Sequence, residues 1–180
     1  MLERLVDLIL NFLRLFMFWV VVDEFESAIV LTLGKARENR FLGLFGAYEL
    51  GPGIHLVWPF NIDRILRANV VPTTSNLSIQ SLTTLDNVSI TISAVVTWKI
   101  RNVQKMLLKV ENPTEALDDS TYGVLAECVQ TRTWENIQSP RFSEIVTKAV
   151  RRKASRWGIH VEDVSLADKT KSLPIRLLNE

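Results

Sequence analysis

The chain has 180 residues, of which 47% are hydrophobic, and its 21 basic and 20 acidic side chains leave a net charge of +1. This length supports one substantial core or two small ones, and the near balance of charge argues against a nucleic-acid-binding surface. Because Cys128 is the only cysteine, a disulfide within the chain is excluded.

Residues 2–22 form an almost uninterrupted apolar segment, which predicts an N-terminal membrane helix. A helix of roughly 21 residues is about 31 Å long, enough to cross the core of a bilayer. The apolar anchor positions are Leu5, Leu8, Ile9, Phe12, Leu13, Leu15, Phe16, Phe18, Trp19 and Val20. The polar side chains fall on one stripe at helical spacing, comprising Arg4, Asp7, Asn11 and Arg14.

Two orientations of this helix remain open. It lies in the membrane interface with its polar stripe facing water, or it spans the bilayer with the stripe packed against other copies. A core helix of a soluble domain is disfavoured because residues 15–22 are hard to cover, and a cleaved signal peptide because Asp23-Glu24 stands where a cleavage pattern belongs. The sequence therefore predicts membrane localisation without deciding the side of the membrane.

A strand is predicted over residues 25–33, where β-branched residues alternate with others before Gly34. In the next stretch, glycines interrupt a group of large apolar residues that contains Phe41, Leu42, Leu44 and Phe45. This stretch is either a loop that caps an open end of the sheet or a glycine-hinged tip that dips into lipid as a second membrane contact.

Pro52-Gly53 predicts a tight turn that leads back into the sheet. The strands predicted after it cover residues 54–60, 65–71, 73–82 and 89–100. The last of these alternates most clearly between apolar and polar residues. We therefore expect it to be the half-buried centre of the sheet.

The hydrophobic period then changes, which indicates helices. A short helix is predicted over residues 103–110, and Asn112, Pro113 and Glu115 form a start signal for a second helix. The apolar face of the second helix comprises Leu117, Thr121, Val124, Leu125, Cys128 and Val129. A third helix follows Ser139-Pro140, and its apolar face comprises Phe142, Ile145, Val146, Ala149 and Val150. Gly158 is expected to end it before a strand over residues 159–166.

This order predicts an α+β fold, a mostly antiparallel twisted sheet with helices packed on one face. No pattern for catalysis, a cofactor or a metal is found: His55 and His160 lack neighbouring ligands, and Cys128 lies on an apolar helix face. The chain is therefore predicted not to be an enzyme and to need no cofactor. The basic surface near Arg151 and Arg152 is either a solvated helix face or a contact for acidic lipid or an acidic neighbouring subunit.

Several segments together resemble the SPFH (Band 7) superfamily of stomatins, prohibitins and flotillins. In chain order they are IVLTLGKA, PGIHLVWPFNIDRI, TLDNVSITISAVVTWKI, the helix with GVLAECV and TWENI, and KASRWGIHVEDVSLAD. The resemblance implies an SPFH domain behind the anchor. The divisions expected are an anchor over 1–22, a β-rich first subdomain over 23–85, an α/β second subdomain over 86–168 and a short tail over 169–180.

The resemblance also implies a function, a non-enzymatic membrane scaffold. In the scaffold that the resemblance implies, many copies lie side by side on the bilayer in rings or cages and organise a membrane patch or membrane proteins, in some relatives a membrane-bound protease. The implied partners are therefore membrane lipid and further copies of the chain, since open sheet edges and complementary helix faces are satisfied by identical neighbours. Family members usually continue into a long coiled-coil helix, whereas this sequence stops at Glu180. That departure motivates an alternative, a small adaptor that binds another SPFH assembly or its protease.

Overall fold

The computed structural model describes residues 19–36, 49–57 and 62–172, which fall into two compact units, one up to Val71 and one from Pro72. The strands of the first unit are β1 Trp19–Val22, β2 Glu26–Thr32, β3 Lys35–Ala36, β4 Glu49–Leu50, β5 Gly53–Leu56 and β6 Asp63–Asn69. Strand β2 pairs with β3, β4 and β6, and β1 pairs with β5, in each case antiparallel.

The core of the first unit forms around β2, which is buried on both faces from Ser27 to Val30. Its apolar cluster comprises Val22, Ala28, Val30 and Leu50, with Val20 and Ile65 packed against it. The buried Ser27 hydroxyl lies 3.0 Å from a Glu49 carboxylate oxygen and 3.3 Å from the Leu50 carbonyl. Its hydrogen-bonding capacity is thus satisfied inside the unit.

The predicted helix over residues 2–22 is wrong at its end, because Trp19–Val22 is strand β1. Three consecutive valines favour a strand, and an unbroken apolar run carries no period that separates strand from helix. Val20 packs on the core of the first unit, so its assignment to the membrane anchor is corrected. Residues 2–18 lie outside the described part of the chain.

The second unit combines a sheet with helices. Its elements are β7 Thr73–Thr83, β8 Ser89–Ile100, α1 Val103–Lys109, α2 Pro113–Gln130, α3 Trp134–Gln138, α4 Arg141–Ala154, a 3₁₀ turn Ser155–Trp157 and β9 Ile159–Lys171. The sheet order is β7-β8-β9 with both pairs antiparallel, while α2 packs against β7 and α4 against β9. The predicted α+β class with an antiparallel sheet is confirmed.

Strand β8 is the centre of this sheet and has the predicted bounds. Its buried face comprises Ile90, Ile92, Ala94, Val96 and Trp98. All six residues predicted for the apolar face of α2 are buried. In α4 the prediction differs at two positions, since Ile145 is 40% exposed and Ala149 is only half-buried, while Thr147 and Ala154 are buried. The buried line of α4 steps by four from Phe142 to Ala154 and thus excludes Ile145.

Hydroxyl groups on two helices of the second unit accept hydrogen bonds from backbone N–H groups of its sheet. The register of β7 shifts after Leu77, where the Ser78 backbone N–H donates to the Tyr122 hydroxyl of α2 at 2.7 Å. The register of β9 shifts near Glu162, and there the Val164 N–H donates to the Thr147 hydroxyl of α4 at 3.0 Å. The Tyr122 hydroxyl therefore satisfies a backbone group that a bulge removes from the ladder, and the Thr147 hydroxyl satisfies a backbone N–H of the edge strand β9 close to a second bulge.

The unit boundary after Val71 differs from the boundary expected after residue 85. Strand β7 pairs with β8 from Thr73 to Thr83, so it belongs to the second unit. The expected boundary falls in the turn between these strands. Strand β9 also continues to Lys171, three residues into the segment predicted as a tail.

Candidate membrane-contact surface

The pairing of β1 with β5 creates a two-stranded ribbon with an apolar outer face. Trp19 lies opposite Leu56, and Val21 lies opposite Ile54. Directly opposed residues share a face, and residues two apart on one strand share it too. The exposed fractions of these side chains are 46% for Trp19, 42% for Leu56, 49% for Val21 and 74% for Ile54. We call these four residues the apolar ribbon.

The opposite face holds the ribbon in place. Val22 is buried in the core of the first unit, and Val20 packs against the same cluster. His55, which pairs with Val20, has its Nε2 atom 2.7 Å from the Gly51 carbonyl oxygen. The apolar ribbon is therefore presented by a structured support.

Leu33 is a further exposed apolar residue of the first unit, and its backbone conformation is unfavourable. Leu33 has a φ of +50° and is followed by Gly34 at +80°, in the tight turn between β2 and β3. Left-handed backbone costs a residue with a side chain roughly 1–2 kcal/mol, and such turns favour Asn, Asp or Gly. Leu33 is nevertheless 81% exposed and gains no packing there. Within the described residues, the backbone strain at Leu33 is therefore not offset by burial of its side chain.

Exposed large apolar residues concentrate in the first unit. Seven of them lie at or before Val71 and four lie after it, although the second unit contributes most of the described residues. The apolar ribbon contains no charged side chain, and the acidic residues Asp23 and Glu24 follow it at its edge. A contiguous apolar face that carries a tryptophan suits the interfacial region of a bilayer.

Most of the sequence-predicted site residues lie outside the described residues. This holds for Leu5, Leu8, Ile9, Phe12, Leu13, Leu15, Phe16 and Phe18 of the anchor, for Arg4, Asp7, Asn11 and Arg14 of its polar stripe, and for Phe41, Leu42, Leu44 and Phe45 of the second contact. Trp19 alone of the anchor positions has an exposed side chain in the described structure. The sequence prediction did not include four further exposed apolar residues of the first unit, Val21, Leu33, Ile54 and Leu56.

Among the helices that the structure describes, none has the length and apolar character needed to span a membrane. Nor do the described ranges contain a group of three or more His, Cys, Asp or Glu side chains placed to hold a metal ion. Burial raises the pKa of the Cys128 thiol, which keeps it protonated at neutral pH.

The Asp86 carboxylate has a structural role, because its contacts join two elements of the second unit. The Thr84 hydroxyl donates to the Asp86 carboxylate and lowers its pKa, and the same carboxylate accepts the Trp134 N–H at 3.2 Å. The Lys171 ammonium lies 5.5 Å from the centroid of the Trp134 ring. Asp86 thus caps α3 and joins it to the β7–β8 turn.

Comparison with known proteins places these features in a family context. A Band 7 protein of Drosophila melanogaster is 30% identical over 165 residues, 91% of this chain and 30% of that protein. Stomatin-2 of Caenorhabditis elegans is 28% identical over 87% of this chain and 40% of its own length. Stomatin of Mus musculus is 24% identical over 87% of this chain and 52% of its own length. The chain thus spans from about a third to about half of the length of these three relatives.

The family model described as SPFH domain / Band 7 family matches residues 20–170, from β1 to the end of β9. This confirms the family that the sequence motifs predict. The chain therefore belongs to the SPFH domain / Band 7 family.

Proposed function

We propose that this chain is a non-enzymatic membrane scaffold that contacts lipid through the apolar ribbon and assembles from identical copies. The observation that carries the proposal is the ribbon itself, because four large apolar side chains face outward from a strand pair whose other face is packed on a core. The family relationship and the apolar segment that precedes β1 in the sequence support the same function.

The strength of such a contact favours many copies over one. Fully burying a Val, Leu or Ile side chain stabilises by about 1.5–3 kcal/mol. The ribbon residues are partly covered already, so transferring four of them to lipid contributes on the order of 4 kcal/mol, which corresponds to roughly millimolar binding. One ribbon alone would detach quickly. Linked copies, or a ribbon combined with the N-terminal segment, would remain bound.

A depth measurement on the full chain tests the lipid contact. An Ile54→Cys variant carries an environment-sensitive dye, and an Ile79→Cys variant serves as the matched control, because Ile79 is 66% exposed on β7 of the second unit. Cys128 is buried and so reacts poorly with the dye. With phosphatidylcholine vesicles that contain nitroxide-labelled lipid, we expect a blue shift and strong quenching at position 54 and neither at position 79.

Two results would overturn parts of this proposal. A dye that stays in water at position 54 while the chain is bound to vesicles would remove the ribbon from the contact. Failure of the full chain to bind vesicles of any composition would remove the membrane function itself.

Light scattering and electron microscopy of the full chain in mild detergent test the assembly. We expect large closed rings or cages. Monomers or dimers would instead favour the adaptor, which needs a foreign SPFH assembly or protease as partner, and co-purification from membranes would identify that partner.

A further inference from the structure

A cavity of about 290 Å³ opens in the second unit where β8 ends and β9 begins. Its walls are rich in cationic and polar side chains, comprising Arg101, Asn102, Lys105, Arg151, Ser155 and His160. No acidic residue lines it. We call this cavity the cationic pocket.

Because Gly158 has no side chain, the start of β9 and the connection between β8 and α1 approach each other closely at this pocket. Its carbonyl oxygen accepts hydrogen bonds from the Arg101 and Asn102 N–H groups at 2.9 and 3.0 Å. A Cβ atom at this position would lie 2.4 Å from the Asn102 carbonyl oxygen and 3.0 Å from the Lys105 Cβ. The start of β9 therefore lies directly against the β8–α1 connection, which places Arg101 and Lys105 in the same cavity wall as His160.

Arg151 is fixed before any ligand arrives. Its Nε donates to the Val161 carbonyl at 2.7 Å and its Nη2 donates to the Glu162 carbonyl at 2.8 Å. The third guanidinium nitrogen, Nη1, takes part in neither of these bonds. A cation held in this way loses little conformational freedom when it binds an anion.

The cations of the pocket have no acidic partner within the described ranges. Arg101, Lys105 and Arg151 form no salt bridge there. The nearest acidic group along β9, the Glu162 carboxylate, lies 2.7 Å from the Lys99 ammonium and is paired with it. Three permanent positive charges that share one recess repel each other, and a bound anion would relieve that repulsion.

We infer that the cationic pocket binds a phosphate group, either free phosphate or the phosphomonoester of a lipid headgroup. Arg donors match the tetrahedral oxygens of phosphate, a Lys adds a mobile point charge, and the Asn102 amide NH₂ adds a neutral donor because only its oxygen is used, by the Lys105 N–H. The Ser155 hydroxyl lines the pocket but already donates to the Arg152 carbonyl at 2.8 Å. The volume suits a phosphate with a small substituent and is too small for most drug-sized ligands. Arg151 belongs to the pocket, whereas the neighbouring Arg152 does not line it.

Calorimetric titration of the full chain with inorganic phosphate tests the site. Arg101→Glu with Lys105→Glu removes two exposed cations of the pocket, and Lys109→Glu with Arg152→Glu changes the net charge equally at exposed positions outside it. We expect the first double variant to weaken phosphate binding about tenfold or more and the second to change it less than twofold. Circular dichroism checks that both variants stay folded.

Vesicle binding separates the two sources of phosphate. Vesicles with phosphatidic acid are compared with phosphatidylglycerol vesicles of matched surface charge, using the same variants. Tighter binding to phosphatidic acid that only the pocket variant loses would identify a lipid headgroup, and a response to inorganic phosphate alone would identify a free ligand. Equal losses in both double variants, or no response to either phosphate source, would overturn the site. The phosphate titration needs no bilayer, so its outcome is independent of the proposed membrane function.

Discussion

Gly158 has a left-handed backbone, with a φ of +77°, at the junction between the 3₁₀ turn and β9. We expect Gly158→Ala to destabilise the chain by about 2 kcal/mol or more, because left-handed strain adds to a contact with the Asn102 carbonyl at 2.4 Å. The matched control is Gly34→Ala, with a φ of +80° and no atom within 4 Å of the new Cβ. Strain alone predicts a loss of about 1 kcal/mol there.

Urea unfolding followed by circular dichroism measures both losses. Equal destabilisation by the two substitutions would mean that the neighbouring connection yields without cost. The close approach at Gly158 would then not be what holds the β8–α1 connection against β9.

Residue chemistry explains which local features the sequence could predict. The Asn112 side-chain oxygen accepts the Glu115 N–H at 3.4 Å, as expected for an asparagine before a helix. Gly158 ends the helical segment because glycine adopts a left-handed backbone without a side-chain clash. Leu33 could not be predicted in the same way. Nothing in the propensity of leucine favours a positive φ, and only the turn that joins β2 to β3 imposes it.

At the scale of elements, the hydrogen bonds between helices and bulged strands differ in burial and so in strength. Thr147→Val keeps the side-chain volume but leaves the buried Val164 N–H without an acceptor, which is expected to cost about 1–3 kcal/mol. Tyr122→Phe removes the acceptor of the Ser78 N–H at an exposed site, where water replaces it, so the loss should stay below about 1 kcal/mol.

Chemical unfolding of the two variants compares these hydrogen bonds directly. If Tyr122→Phe were the more damaging change, burial would not be what sets the importance of these contacts. The α4–β9 contact would then have to be less tightly packed than its geometry indicates.

The elements with a clear period were predictable, and those without one were not. Strand β8 alternates over its whole length, and α2 has an apolar face at helical spacing, so sequence pattern fixes both. Strand β1 was missed because its four residues are all apolar and bulky. Its identity as a strand depends on pairing with β5, a partner remote in sequence.

At the scale of the whole molecule, the boundary between the units predicts which fragment folds. A fragment of residues 72–180 keeps all three strands of its sheet, including the Ser75 hydroxyl that donates to Asp118 at 2.6 Å. We expect it to unfold cooperatively in urea. A fragment of residues 86–180 lacks β7, uncovers one edge of β8 and should show no cooperative transition.

Circular dichroism and urea titration of the two fragments make this comparison. A cooperative transition in the shorter fragment would return the boundary to the position that the sequence predicts.

The pairing of strands that are distant in sequence also explains why the candidate contact surface was only partly predictable. Ile54 and Leu56 are ordinary strand residues in sequence, and only their pairing with Val21 and Trp19 collects them on one exposed face.

The backbone of Leu33 has a consequence for protein engineering. Selection for thermal tolerance in aqueous buffer rewards Asn or Gly at this turn, because either residue relieves the left-handed strain without losing any packing. The same selection favours polar replacements at Ile54. A variant evolved only for yield and heat resistance would therefore lose the outward apolar side chains first, and it would do so while its fold improved.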